Sequence, residues 1–454
     1  MILKTTKKEF FSGSAYQAII LLCGIIVLPI SIHYLNKNEM GFWYVFLTFA
    51  AFAQLLEFGY QPTISRFLSA ILSGTQTLNA EGWSSESISS INYQLLYDLI
   101  QASKRLYIGV SFLVFIVLST VGTLYLFSFN EFTKSEMIAW CFFVLSISIN
   151  FYYTYCNAII IGRGNTVAVY KVTAISKVFY TIITVILLSF GFGLIAMAVA
   201  LLASTALSRF LLYREINDDS WDVNIELNKI YRVKENIVPV LYKASWKLGV
   251  TGLGAFLIRQ GNTFVAASFL SIGVAGSYGL TIQVFSLIRN LASMIFNLNL
   301  PKMNSLQVQG KKNELKNLFV SSILSSTLMY VIGAIISLLI GEQLIDFITN
   351  NTSGTKLLPT YLLAFVALIY LLEHIHSLCG IYLTTYNRVP FLWPSIISGG
   401  LIFISSIVAC NNLAIGVMGL LIPQFIVQLC FNNWYWPYIT YRDLIKGNEK
   451  FSIV

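Results

Sequence analysis

Charged side chains are scarce in this 454-residue chain. They make up 11% of the residues, whereas hydrophobic residues make up 56%, and the mean hydropathy is +0.73. A typical soluble domain carries about 25% charged residues. So few charges cannot cover a water-soluble protein of this length. The composition therefore excludes a soluble enzyme, a nucleic-acid-binding domain and a disordered chain, and it predicts an all-α polytopic membrane protein.

Cysteine is also sparse, and it follows no metal-binding pattern. The six cysteines all lie in apolar stretches, and no CxxC or Cys/His spacing is present. The sequence also has no nucleotide-binding loop and no Ser/His/Asp arrangement. We therefore expect no cofactor, no metal and no enzyme activity. The net charge of +9 then reflects the excess of cations that membrane proteins carry on their cytoplasmic side, and it does not indicate a nucleic-acid partner.

Apolar segments dominate the rest of the chain. A membrane helix needs ~20 mostly apolar residues. Twelve segments meet this requirement: 11–34, 41–60, 106–128, 138–161, 171–190, 193–212, 245–269, 276–299, 318–340, 357–382, 391–410 and 416–438. With the N-terminus inside, the predicted outer loops contain only Lys37, Lys134 and Lys356, and most other Lys and Arg residues fall inside. This bias predicts that both termini are cytoplasmic.

Two long inner loops are predicted, at 67–105 and at 213–244. The second divides the chain into a six-helix half (1–212), a cytoplasmic linker (213–244) and a second six-helix half with a cytoplasmic tail (245–454). Similar features recur in the two halves: helices two and eight each begin with glycine and end before a proline. This internal repetition predicts two six-helix bundles related by a pseudo-two-fold axis along the membrane normal.

Two arginines lie deep in predicted spans seven and eight. A cation at mid-membrane costs roughly 2.5–3.5 kcal/mol on insertion scales, so each needs a structural or functional reason. Arg259 and Arg289 reach similar depths, and neither helix contains an acidic residue. We expect a cationic, hydrated cavity for an anionic head group, lined also by the polar residues Gln260, Asn262, Gln283 and Asn290. The alternative is that each arginine pairs with a carboxylate on a distant helix, such as Glu57 or Glu373, or extends to the interface.

Lysines at the start of predicted helix seven share one helical face. Lys243 and Lys247 are spaced i, i+4. They are candidates for drawing an anionic substrate inward, but ordinary interfacial anchoring is the favoured explanation. The same explanation is favoured for Lys177 and Arg209, which lie near the inner ends of predicted helices five and six.

Intramembrane acids and histidines are candidates for ion coupling. Glu57 lies in predicted helix two, and Glu373, His374 and His376 lie in predicted helix ten. Burial favours the neutral form of a carboxyl group, which makes such residues suited to proton exchange. The alternative is that Glu57 pairs with a basic residue and that the histidines are interfacial.

The stretch from 55 to 66, LLEFGYQPTISR, resembles the second-helix signature of the polysaccharide (O-antigen, Wzx-type) flippases. In that family an acidic residue and a glycine precede a short turn that ends in Ser/Thr-Arg. Gly59, Pro62 and Arg66 match this pattern. The run from Gly276 to Pro301 resembles the eighth helix of the same family.

The family belongs to the multidrug/oligosaccharidyl-lipid/polysaccharide exporter superfamily. The resemblance implies two six-helix bundles around a V-shaped cavity. It implies that an undecaprenyl-diphosphate-linked oligosaccharide moves from the cytoplasmic to the periplasmic leaflet by alternating access, driven by an ion gradient. It also implies that the protein lies in the bacterial inner membrane. Its partners there would be membrane lipids and a glycan polymerase or chain-length machinery.

Two other functions remain open from the sequence. A multidrug/cation antiporter of the same superfamily would be expected to have acidic cavity residues. A membrane-embedded glycan polymerase would be expected to have a large outer loop.

Overall fold

The computed structural model describes residues 7–79, 91–216, 232–308, 311–349, 356–383, 391–412 and 415–446. The regular elements in these ranges are helices, which confirms the predicted all-α class. The chain folds into two compact units. Unit 1 comprises Met1–Leu35 and Phe49–Val250, and unit 2 comprises Asn36–Thr48 and Thr251–Val454. The middle of the predicted linker, 217–231, lies outside the described residues.

Unit 1 is built from helices that pack side by side. They are α1 (Lys7–Tyr34), the end of α2 (Lys37–Leu55), α3 (Tyr60–Leu72), α4 (Tyr93–Val117), α5 (Thr123–Leu126), α6 (Lys134–Tyr152), α7 (Thr154–Gly162), α8 (Thr166–Ser189), α9 (Gly193–Ile216) and the first part of α10 (Val238–Arg259). A π-helical turn, Leu118–Gly122, joins α4 to α5. Helix α9 packs against both α6 and α8, and α1 packs against α8.

Unit 2 contains the remaining helices. They are the ends of α2 and α10 not in unit 1, α11 (Gly261–Val265), a π-helical turn (Ala266–Leu270), α12 (Ile272–Val308), α13 (Lys312–Thr349), α14 (Thr360–Leu383), α15 (Leu392–Asn412), α16 (Met418–Cys430) and α17 (Asn432–Lys446). Helix α12 packs against α13 and α14, α15 packs against α16, and α14 packs against α17.

Nine described helices are long and apolar enough to cross a membrane, or ten if the bent pair α2–α3 counts as one span. The two remaining predicted spans, 245–269 and 416–438, are assembled from shorter pieces. The first breaks at Gln260, between α10 and α11, and the second breaks at Phe431, between α16 and α17. Continuous hydropathy reveals such segments but not the points at which their helices break.

The outer surface of α13 carries exposed apolar side chains, which indicate the kind of surroundings that this helix faces. Leu324, Leu328 and Leu339 expose 64%, 61% and 67% of their surface, respectively. Leu324 and Leu328 are one helical turn apart, so they extend along one face. Such a large apolar stripe is costly in water and is suited to lipid.

The break between α2 and α3 corrects the predicted end of helix two. Phe58 (φ 50°) and Gly59 (φ 72°) both adopt the left-handed backbone region, which favours glycine. The chain bends by 44° and continues as α3. The predicted inner loop 67–105 is therefore wrong at both ends, since α3 runs to Leu72 and α4 begins at Tyr93. The hydropathy criterion did not detect the end of α3 or the start of α4, because these helical segments are amphipathic rather than uniformly apolar.

Glycine in α10 allows close helix contact. A Cβ atom at Gly254 would lie 2.4 Å from the backbone carbon of Ser395 on α15. A Cβ atom at Gly249 would lie 2.6 Å from the ring of Phe58. Both glycines therefore serve tight packing, the commoner role of small residues in membrane helices.

Candidate functional site

A cavity of about 280 Å³ lies within unit 2. Helices α10, α14, α15, α16 and α17 all contribute to its wall. Its charged and polar lining includes Arg259, Glu373, His376, Gln428 and Asn432, and aromatic and aliphatic side chains complete it. The cavity thus combines charge, hydrogen-bonding groups and apolar surface, as ligand sites in membrane proteins do.

An ion pair adjoins the cavity. Arg289 on α12 lies 3.8 Å from Glu373 on α14, and their side chains are only 13% and 4% exposed, respectively. The Arg289 guanidinium also lies 5.5 Å from the centre of the Tyr370 ring, within range of a cation–π interaction. The partner on a distant helix that the sequence left open for Arg289 is therefore Glu373.

Arg259 carries the second positive charge. It is the last residue of α10, its side chain is exposed, and it lines the cavity beside Glu373. It is close enough to interact electrostatically with both Arg289 and Glu373. Among the described residues, no second carboxylate forms an ion pair with either arginine. Two cations therefore share one anion, and the cluster carries a net positive charge.

A row of polar side chains on α16 and at the start of α17 adjoins the cluster of Arg259, Arg289 and Glu373. Gln424 donates to Glu373 Oε1 at 2.8 Å. Asn432 donates to Gln428 and to Ser398, at 2.9 Å each. These residues were not among the candidates from the sequence, although Gln424, Gln428 and Asn432 recur every four positions in a mostly apolar span. In an uninterrupted helix that spacing puts them on one face, which is a usable signal of a buried polar site.

The two histidines of α14 have different surroundings. His376 shares the cavity wall with Glu373, and its Nδ1 lies 2.8 Å from Asn433 Oδ1. His374 points elsewhere: its Nε2 lies 3.0 Å from Ser326 Oγ, and its ring stacks on Tyr330. Only His376 is thus positioned to contact a molecule in the cavity.

The predicted polar lining is dispersed within unit 2. Asn262 is fully buried and hydrogen-bonds the Leu420 carbonyl at 3.3 Å. Gln283 accepts a 2.6 Å hydrogen bond from the hydroxyl of Tyr44. Asn290 is exposed, and Gln260 occupies the break after α10.

Glu57 lies in unit 1, in the bend before α3. It is only 4% exposed. Its carboxylate accepts hydrogen bonds from Tyr107 Oη at 2.7 Å, from the Gln61 backbone at 3.2 Å and from the Gln54 side chain. All three donors are neutral, and no cation of the described residues pairs with it. Glu57 is therefore a buried acid without a counter-ion.

The remaining sequence-predicted residues also lie in unit 1. Lys243 is exposed on α10, and the side chain of Lys247 is outside the described part of the structure. Gly59 forms the turn before α3, Pro62 lies in the first turn of α3, and the Arg66 guanidinium lies over the Phe67 ring at 5.5 Å. Gly59 and Pro62 thus shape the turn that holds Glu57.

The sequence matches no family model, and no curated protein sequence matches it significantly. Solved structures do resemble it in fold. The lipid II flippase MurJ in an inward closed conformation has a TM-score of 0.67 at 13% identity, covering 96% of this chain and 89% of that one. An inward-facing multidrug resistance MATE family transporter of the MOP superfamily has a TM-score of 0.66 at 12% identity, covering 96% and 100%. The MATE multidrug transporter DinF-BH has a TM-score of 0.64 at 13% identity, covering 97% and 96%. At these identities the likeness establishes the fold, which is that of multi-pass membrane transporters.

Proposed function

We propose that the protein is a flippase that moves an undecaprenyl-diphosphate-linked oligosaccharide from the cytoplasmic to the periplasmic leaflet of the bacterial inner membrane. The observation that carries the proposal is the pair of arginines that share Glu373 at the cavity of unit 2. A net positive site within a membrane fold is suited to a diphosphate, whose polyprenyl tail can stay in the lipid. The fold shared with a lipid II flippase is consistent with this proposal.

The two arginines have different roles in the proposal. Arg289 is held by Glu373 and Tyr370, so it fixes the ion pair beside the cavity and leaves Arg259 as the uncompensated cation of the site. Arg259 has an exposed side chain on the cavity wall, so it is the group that contacts the phosphate oxygens directly. Guanidinium groups bind such oxygens with strong, charge-assisted hydrogen bonds.

Ion coupling is assigned to Glu57 rather than to Glu373. Glu373 neutralises Arg289, so protonating it would leave two neighbouring cations uncompensated. Glu57 is buried among neutral donors, so binding a proton or a sodium ion there removes an uncompensated negative charge. The ion gradient therefore acts in unit 1, in the bend that leads into α3.

The same observation on Glu57 favours a second function, a multidrug/cation antiporter. A buried acid without a counter-ion suits an organic cation as well as a coupling ion. The two functions make different demands on unit 2. Its arginine pair attracts a diphosphate but repels an organic cation.

Complementation of a strain that lacks its own O-unit flippase tests the proposal, with surface glycan as the readout. The cognate glycan pathway is supplied, and Arg259→Ala, Arg259→Lys and the exposed-residue control Arg105→Ala are compared at matched protein levels. We expect wild type and Arg105→Ala to restore glycan, Arg259→Ala to fail, and Arg259→Lys to restore part of it. Failure of the wild type with the cognate pathway contradicts the flippase and favours the antiporter.

A further inference from the structure

A buried arginine in unit 1 has no carboxylate partner among the residues that the structure describes. Arg209 lies on α9 and is only 8% exposed. One of its terminal nitrogens donates to the side chain of Asn150 on α6. Its Nε and Nη1 atoms are buried without any hydrogen-bond partner. A buried cation with unsatisfied donors is among the most costly features in a membrane protein, so it calls for a partner that binds there.

A second cation, Lys104, lies near the same cysteine as Arg209. Both Arg209 and Lys104, on α4, interact electrostatically with the thiol of Cys156. A thiol is ordinarily uncharged near neutral pH, so it does not neutralise them. Among the described residues, no carboxylate forms an ion pair with Arg209. The pair therefore has a charge of about +2 to be neutralised.

Four tyrosines pack together beside Lys104 and one helical turn beyond Arg209. Tyr152, Tyr153 and Tyr155 follow one another through the break between α6 and α7, and their rings contact each other. Tyr213 lies one turn after Arg209 on α9 and packs against Tyr153 with ring centres 6.4 Å apart. The ammonium group of Lys104 lies 5.9 Å from the centre of the Tyr155 ring. We call Lys104, Arg209 and the four tyrosines the tyrosine–arginine cluster.

The cluster reaches the protein surface. Tyr213 is 48% exposed, so one edge of the cluster is accessible from outside the core. Tyrosine hydroxyls donate hydrogen bonds to oxyanions, as guanidinium and ammonium groups do. The cluster therefore combines an accessible edge, two cations, unsatisfied donors and several hydroxyl groups.

We propose that the tyrosine–arginine cluster is a second anion-binding site, which takes a phosphate-type oxyanion such as a phosphate ester or a diphosphate. Phosphate esters carry a charge of about −1.5 to −2 at neutral pH, close to that of the two cations and more than a carboxylate provides. The oxyanion would come either from a lipid head group or from a free phosphate compound. This site is separate from the cavity of unit 2, so the inference does not rest on the proposed function.

Thermal unfolding of the purified full-length protein in nanodiscs tests this site. The probes are inorganic pyrophosphate and geranylgeranyl diphosphate, and the variants are Arg209→Met, Arg209→Lys and Lys104→Gln. Arg105→Gln is the matched control, because it removes a neighbouring but exposed cation from α4. Each series is repeated in an Arg259→Ala background, so that a probe bound at the cavity of unit 2 does not contribute.

A ligand that binds only the folded state raises its melting temperature, and the shift grows with the ratio of ligand concentration to Kd. We expect the wild type and Arg105→Gln to be stabilised by at least one probe. Arg209→Met should lose the shift entirely, and Lys104→Gln and Arg209→Lys should weaken binding by at least tenfold. Without probe, Arg209→Met should melt no lower than wild type, because a buried uncompensated charge is replaced by an apolar chain.

The outcomes separate the two sources and the two sites. Stabilisation by both probes supports recognition of the diphosphate itself, and stabilisation by geranylgeranyl diphosphate alone supports a lipid head group. If neither probe shifts the wild type, or if the shift persists in Arg209→Met, the site is refuted. A shift that disappears in Arg259→Ala but not in Arg209→Met belongs to unit 2, which refutes this inference while leaving the proposed function intact.

Discussion

The ion pair between Arg289 and Glu373 makes a quantitative prediction. Glu373→Gln removes the charge but keeps the side-chain shape and an oxygen that can accept from Gln424. Arg289 and Arg259 are then left as neighbouring uncompensated cations. Removing one partner of a buried pair typically costs about 3–5 kcal/mol. For a unit of this size about 1 kcal/mol corresponds to roughly 2–4 °C in melting temperature, so we expect a loss on the order of 10 °C.

A double-mutant cycle isolates the pair. Arg289→Met leaves Glu373 unpaired, whereas the double variant Arg289→Met/Glu373→Gln removes both charges. We expect the double variant to be more stable than either single one, with a coupling energy of about 1–3 kcal/mol. The readout is thermal unfolding of the purified protein in detergent, followed by intrinsic fluorescence.

An exposed ion pair in unit 2 provides the control. Lys356 and Asp346 lie 3.3 Å apart, closer than the buried pair, but their side chains are 52% and 30% exposed. Asp346→Asn should cost no more than about 1 kcal/mol, because solvent screens this pair. If Glu373→Gln has as small an effect as Asp346→Asn, the two arginines do not depend on Glu373 for charge compensation, which contradicts this prediction.

Three further changes test other parts of the structure. Glu57→Gln should lower ion-driven transport at least tenfold while the protein stays folded, as judged by size-exclusion chromatography; unchanged transport would exclude coupling at this site. Gly254→Ala should cost about 1–3 kcal/mol of thermal stability through overpacking against Ser395, whereas Gly400→Ala, which meets nothing within 4 Å, should be neutral or stabilising. Asp98→Ala removes the acceptor for the backbone N–H groups of 234 and 235, at 3.2 and 3.0 Å, so it should cost about 1–3 kcal/mol and speed tryptic cleavage there; an unchanged cleavage rate would contradict this anchoring role.

The long apolar helices could be predicted from the sequence, because hydropathy over ~20 residues reflects the lipid that surrounds them. The helix breaks could not. The bend at 58–59 depends on left-handed backbone geometry, and the turns beyond it are amphipathic, so their burial depends on neighbours such as α7. The break at 260 follows Arg259, in a stretch whose composition differs little from its surroundings.

The ionisable residues of the candidate site could be predicted from the sequence, but their contacts could not. Arg259, Arg289, Glu373 and His376 stood out individually, because ionisable residues in membrane helices are rare. That Glu373 pairs with Arg289 follows from the packing of α12 against α14, which no local pattern encodes. Arg209 likewise looked like an interfacial anchor, and only the folded unit shows that it is buried with unsatisfied donors.

Transport by the purified protein in proteoliposomes distinguishes a flippase of lipid-linked oligosaccharide from a cation exporter. A fluorescent polyprenyl-diphosphate-linked oligosaccharide and the cationic dye ethidium are offered in parallel to wild type and to Arg259→Ala. We expect wild type to move the lipid-linked oligosaccharide between leaflets, Arg259→Ala to slow this movement at least tenfold, and ethidium not to be transported. Transport of ethidium without movement of the lipid-linked oligosaccharide would contradict the proposed flippase function and identify a cation exporter.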